Sequence, residues 1–167
     1  REYTFLVFAT NSAGSGPSEF SPSITPLALP GAPTNLIGLP GDNEIHLSWD
    51  SPDDGGSTIT LYTVIDNLGN TYTTTEPEIV ISSLQNGVQY SFNVSATNAA
   101  GTGPVSASIE NLIPRTVPGK PTNVLASLSE PRKANISWDS PLDNGGFPIQ
   151  HYTVTSIPSL ILATTTA

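Results

Sequence analysis

The feature that most constrains this chain is that it repeats itself at one long interval. Pro30-Gly31-x-Pro33-Thr34-Asn35 recurs as Pro118-Gly119-x-Pro121-Thr122-Asn123, and Ser48-Trp49-Asp50-Ser51-Pro52 as Ser137-Trp138-Asp139-Ser140-Pro141. Gly55-Gly56 recurs as Gly145-Gly146, and Tyr62-Thr63-Val64 as Tyr152-Thr153-Val154. A second set lies elsewhere. Tyr3-Thr4-Phe5-x-Val7-x-Ala9-Thr10-Asn11 matches Tyr90-Ser91-Phe92-x-Val94-x-Ala96-Thr97-Asn98, and Ala13-Gly14-x-Gly16-Pro17 matches Ala100-Gly101-x-Gly103-Pro104. The offsets run from 87 to 90 residues. That is a small domain, far longer than a solenoid repeat. Only residues 30–117 hold both sets. The expected organisation is therefore one complete module at 30–117, the last two strands of another at 1–29, and the first part of a third at 118–167.

The complete module reads as strands. Ile45, Leu47 and Trp49 alternate with His46 and Ser48, Tyr62 alternates into Val64, and Ile79 into Ile81. Tyr90, Phe92, Val94 and Ala96 form the longest alternating run, with Ser91, Asn93, Ser95 and Thr97 opposite. A period of two marks a strand with one buried face. Two such sheets must close on each other, which gives a sandwich. Turn residues separate the runs: Asp53-Asp54-Gly55-Gly56, Asn67-Leu68-Gly69-Asn70 and Asn98 through Pro104. Seven strands are expected, near 33–38, 44–50, 59–66, 70–75, 78–82, 88–98 and 105–113.

Trp49, Leu84-x-x-Gly87-x-x-Tyr90 and Ala96-x-Asn98-x-x-Gly101 together resemble a fibronectin type III domain. The resemblance implies an all-β, immunoglobulin-like, seven-stranded β-sandwich in tandem array. It implies that Trp49 fills the core, that Leu84 caps its bottom, and that Tyr90 turns a corner back to the preceding loop. With Tyr62, Phe92 and Val94, and with Trp138 and Tyr152 in the third module, these are the expected structural core. It also implies ligand-binding loops gathered at one end, here 50–58, 67–70 and 98–104. The implied roles are structural spacing and adhesion, or accessory modules of a secreted polysaccharide-degrading enzyme. The implied setting is extracellular or at the cell surface, or else inside the cell in a giant structural protein. The expected partners are neighbouring modules of the same chain and protein or glycan ligands.

Charge and composition narrow the rest. Residues 30–117 hold nine acidic side chains against Arg115 alone, within a net charge of −9 for the chain. That balance repels nucleic-acid phosphate and anionic lipid, so neither is an expected partner. The absence of cysteine removes disulfides, thiol catalysis and thiolate metal sites. There is no methionine, and the chain opens in a strand-like run, so an internal piece of a longer protein is expected. No apolar run reaches the roughly 18–20 residues a bilayer crossing needs.

No catalytic, cofactor or metal set emerges. His46 and His151 fall at different positions of the repeat and read as surface histidines. Asp50, Asp53, Asp54 and their counterparts Asp139 and Asp143 lack the alternating oxygen ligands and closing Glu of a calcium loop. Aspartate before glycine reads instead as turn chemistry. Asn93-Val94-Ser95 and Asn135-Ile136-Ser137 match the glycosylation sequon but lie within strands. The glycines after Asn98 lead into another strand, with no helix N-terminus to hold a phosphate. The Pro-rich linkers 26–30 and 114–118 favour an extended backbone.

Overall fold

A computed structural model describes residues 2–130, 133–156 and 160–166, with side chains through 156. Among the described residues every regular element is a strand. The fold is an all-β immunoglobulin-like sandwich. In residues 30–117, β3 (Thr34–Pro40), β4 (Ile45–Asp50) and β7 (Glu78–Ile81) form a three-stranded sheet in the order β3-β4-β7. The second sheet runs β10 (Ile109–Leu112), β8 (Tyr90–Asn98), β5 (Leu61–Asp66) and β6 (Thr71–Thr74), with β9 (Gly101–Thr102) added on β8. The strands β5 and β8 are antiparallel, with Leu61 opposite Thr97, Val64 opposite Val94 and Asp66 opposite Phe92.

The chain gathers into two compact units. One comprises residues 1–37, 47–79 and 91–110, the other residues 38–46, 80–90 and 111–167. The division cuts across β3, β4, β7, β8 and β10, so each of those strands belongs to both units. In the first unit, Leu47, Trp49, Tyr62, Val64, Phe92, Val94 and Ala96 are buried. In the second, Ile45, Ile81, Leu84, Tyr90 and Leu112 are buried. Alternation explains the pattern: β4 reads buried, exposed, buried from Ile45 to Asp50. On β8 the opposite face is not open. Ser95 is buried there, on a strand that has neighbours on both sides in its sheet, while Asn98 is buried in phase with Ala96 on the core side.

The last strand differs from the expected 105–113. Regular pairing is confined to β9 and β10. Pro104 has no N–H to give a ladder, and Ser106 takes over part of it. Its hydroxyl accepts the Val94 N–H at 3.0 Å while its own N–H donates to the Val94 carbonyl at 2.7 Å.

At the start of the chain, β1 (Leu6–Asn11) and β2 (Gly14–Phe20) pair as an antiparallel hairpin with all side chains exposed. At the other end, β11 (Thr122–Glu130) pairs with β12 (Lys133–Asp139), and β13 (His151–Ser156) with β14 (Leu160–Thr166). Two of the recurring motifs make like contacts. Trp49 meets Tyr62 with ring centroids 5.3 Å apart, and Trp138 meets Tyr152 at 5.3 Å. The Tyr62 and Tyr152 hydroxyls pair with Ser51 and Ser140 hydroxyls at 2.8 and 3.0 Å. Burial does not follow. Trp138 and Tyr152, expected in a core, are only half-buried. Among the described residues of 118–156 there is no counterpart of β7 or β8 to cover them.

Candidate functional site

The turn segments carry whatever a sandwich of this kind can offer a partner. The first is the loop between β4 and β5. Asp53 Oδ1 accepts the Gly55 N–H at 2.9 Å, and Asp54 Oδ1 accepts the Gly56 N–H at 2.8 Å. Gly55 and Gly56 lie at φ +67° and +86°, which glycine adopts without steric cost. The counterpart loop repeats the arrangement: Asp143 Oδ1 accepts from Gly145 at 2.8 Å and Asn144 Oδ1 from Gly146 at 3.0 Å. These oxygens are spent on turn formation. Among the described residues, no group of three or more His, Cys, Asp or Glu side chains could hold a metal ion.

Asp50 and Asp139 do something else. Asn35 Nδ2 donates to Asp50 Oδ2 at 2.6 Å, and Asn123 Nδ2 to Asp139 Oδ2 at 2.5 Å. Both asparagines sit at φ +51°. The recurring Pro-Thr-Asn and Ser-Trp-Asp motifs thus act alike, tying β3 to β4 and β11 to β12.

The expected cluster of three loops at one end does not form. Leu61 pairs with Thr97 at one end of β5, which places 51–60 beside 98–103. Segment 67–70 lies at the other end of β5, where the Asn67 N–H donates to the Ser91 carbonyl at 3.1 Å. A strand loop reverses ends with each crossing, so the odd number of strands between these loops decides the matter.

The two loops that do meet are covered by residues 28–31. The Ala28 N–H donates to the Gly55 carbonyl at 2.8 Å, and the Gly31 N–H to the Asp53 carbonyl at 2.9 Å. Buried Asn98 joins all three pieces. Its Nδ2 donates to the Ala28 and Asp54 carbonyls at 2.8 and 2.7 Å, and its Oδ1 accepts from Ala100 and Gly101 at 2.8 and 3.2 Å. A Cβ on Gly103 would fall inside the Pro30 carbonyl. The motif containing Asn98 was visible in the sequence, but its reach to Ala28 crosses seventy residues. Replacing Asn98 with alanine orphans these groups. The expected cost is about 1–3 kcal/mol of stability, measured by urea unfolding, with faster hydrogen exchange at the Ala28 and Gly31 amides.

The remaining candidates stay where the strands put them. His46 is exposed beside Glu44, with Nε2 3.0 Å from Oε1, and His151 is exposed on β13. In the first sequon Asn93 is half-buried, its Oδ1 has no hydrogen-bond partner, and Ser95 is buried. In the second, Asn135 is exposed. Among the described residues no helix is long and apolar enough to cross a membrane.

An immunoglobulin-like sandwich with its loop ends taken up by turns and a linker is the class of protein the geometry defines. Residues 31–111 match the fibronectin type III domain family, and this stretch is a fibronectin type III domain. The human fibronectin type-III domain-containing protein 3A is 35% identical over 156 residues, covering 86% of this chain and 13% of that protein. The rat cell adhesion molecule DSCAM is 32% identical over 167 residues, covering 92% of this chain and 8% of that one. A solved structure of the twitchin kinase region from C. elegans superposes with a TM-score of 0.48 at 29% identity, covering 52% of this chain and 17% of that one. The chain thus spans no more than 13% of the length of these curated relatives.

Proposed function

We propose that this chain is a non-catalytic run of fibronectin type III modules that acts as a structural spacer in a larger protein. In this reading one complete module, 30–117, is flanked by parts of two others, and the larger protein works outside the cell or at its surface. The observation that carries it is the occupation of the loop end. Residues 28–31 lie on 53–56, and Asn98 and Gly103 close on the same segment. A module whose loops receive its own linker is built to be joined in series. The similarity to a cell adhesion molecule over 92% of the chain supports the surface setting.

The alternative is a binding module, for adhesion or as an accessory to a secreted polysaccharide-degrading enzyme, with protein or glycan ligands. One observation favours it: Leu68 is 64% exposed on the β5–β6 hairpin, at the end of β5 away from residues 28–31. Mechanical stretching separates the two. A protein carrying several copies of 30–117 in series is expected to give one unfolding event per copy, each releasing roughly 300 Å of chain. Extension without resolved events would overturn the spacer reading.

A further inference from the structure

The linker docking seen before the complete module is repeated after it, and there both sides of the joint lie within the second compact unit. The Thr116 N–H donates to the Gly145 carbonyl at 3.0 Å, and the Gly119 N–H to the Asp143 carbonyl at 2.9 Å. These bonds have the same positions as those from Ala28 to Gly55 and from Gly31 to Asp53. Linker residues one step earlier are tied the other way, to the complete module. The Gly87 N–H donates to the Pro114 carbonyl at 2.9 Å, and the Arg115 N–H to the Gly41 carbonyl at 2.8 Å. Residues 114–119 therefore hold the turn behind them and the loop ahead of them at once.

That double anchoring brings two backbones into contact. A Cβ on Gly87 would lie 2.7 Å from the Gly146 carbonyl oxygen and 3.0 Å from its Cα. A Cβ on Gly146 would lie 3.0 Å from the Asn86 carbonyl carbon and 3.1 Å from the Gly87 Cα. The turn alone does not demand such crowding. At Gly56, the counterpart of Gly146, the nearest atom to a Cβ is the Pro26 carbonyl oxygen at 3.4 Å. Beside this contact the Arg115 guanidinium stands 5.9 Å from the centre of the Phe147 ring, within cation–π range. Arg115 is the only Lys or Arg in 30–117.

We propose that the 84–87 turn, the 114–119 linker and the 143–146 loop form a built joint that docks the next module on this one. Backbone packing of Gly87 on Gly146 sets the approach, and Arg115 over Phe147 closes its side. Gly87 thereby has a second role besides the corner between Leu84 and Tyr90. The partner this surface fits is the following module of the same chain. The proposal rests on reading residues 118–156 as the start of that module.

The test is the orientation of 118–156 against the complete module, read by backbone residual dipolar couplings on the whole chain. In the unmodified protein one alignment tensor is expected to fit both sets of amides. In Gly146→Ala and, independently, in Phe147→Ser, two tensors are expected, with order in 118–156 lower by about twofold as the joint opens to slower collective motion. Retained chemical-shift dispersion in 118–156 shows that a variant is still folded, and Phe147→Ser leaves every positive-φ position untouched. An unmodified protein that needs two tensors would overturn the joint, as would both folded variants still fitting one. Ligand capture by the loops with one tensor retained would defeat the spacer reading and leave the joint standing.

Discussion

Trp49→Ala is expected to cost the 30–117 module about 3–5 kcal/mol, the range for truncating a large buried aromatic. Against a typical net stability of roughly 5–15 kcal/mol this removes about a fifth or more of what holds the module folded. The indole is buried, with Tyr62 edge-on at 5.3 Å, and the Trp49 backbone N–H donates to the Pro77 carbonyl at 3.0 Å. Alanine would leave a cavity that a close-packed interior cannot fully close. Trp49→Phe should cost less. It keeps a ring against Tyr62 and removes an indole Nε1 that has no hydrogen-bond partner in the structure. Far-UV circular dichroism in urea checks both; an unchanged midpoint for the alanine variant would remove Trp49 from the core.

The second large effect is expected at Asp66. This carboxylate is buried at the end of β5 and is filled by donors. Oδ1 accepts the Leu68 and Asn70 N–H groups, each at 2.9 Å, and Oδ2 accepts Asn70 Nδ2 at 2.8 Å and the Tyr72 hydroxyl at 3.1 Å. Burial by itself would raise its pKa. The hydrogen bonds from the Asn70 side chain, the Asn70 and Leu68 backbone and Tyr72 outweigh it and hold the group below the usual 3.8. Asp66→Ala is expected to cost about 2–4 kcal/mol, since bonds to a charged group are worth roughly 1.5–3 kcal/mol each and do not add fully. The pH dependence has a definite sign. A folded-state pKa below the unfolded value means the stabilisation is complete above the unfolded value. It is lost as pH falls through the folded one. The unmodified protein should therefore lose more stability than Asp66→Ala on acidification from neutral pH. Parallel urea midpoints for the two proteins across that range would contradict the assignment.

These two residues show what the sequence could and could not disclose. Trp49 announces itself three ways: it alternates with Ile45 and Leu47, it sits in a motif that recurs at Trp138, and it fits a family pattern. Asp66 announces nothing. Its counterpart in the repeat is Ser156, so self-comparison passes over it, and its role depends on a hairpin that curls four donors around it. Strands and faces follow from a local period of two and were legible to within a few residues. The split of the last strand was not, because it depends on Ser106 meeting Val94 across the sheet. The same limit hid the loop end. Asn98 and the paired glycines are conspicuous as turn residues, yet nothing local says that residues 28–31 will lie on them. The end to which 67–70 belongs is a matter of strand direction, and Trp138 and Tyr152 show that an inward-facing pattern buries a side chain only when a second layer covers it.

Residues 30–117 are expected to unfold as one cooperative module, although compact packing divides the chain across its strands. Urea unfolding of isolated 30–117 tests this directly. Trp49 is its only tryptophan, so fluorescence reports the core while far-UV circular dichroism reports the sheets. Coincident transitions at one midpoint are predicted, as for a two-state domain. Separated midpoints, or a Trp49 signal that is already that of an exposed indole without urea, would contradict it.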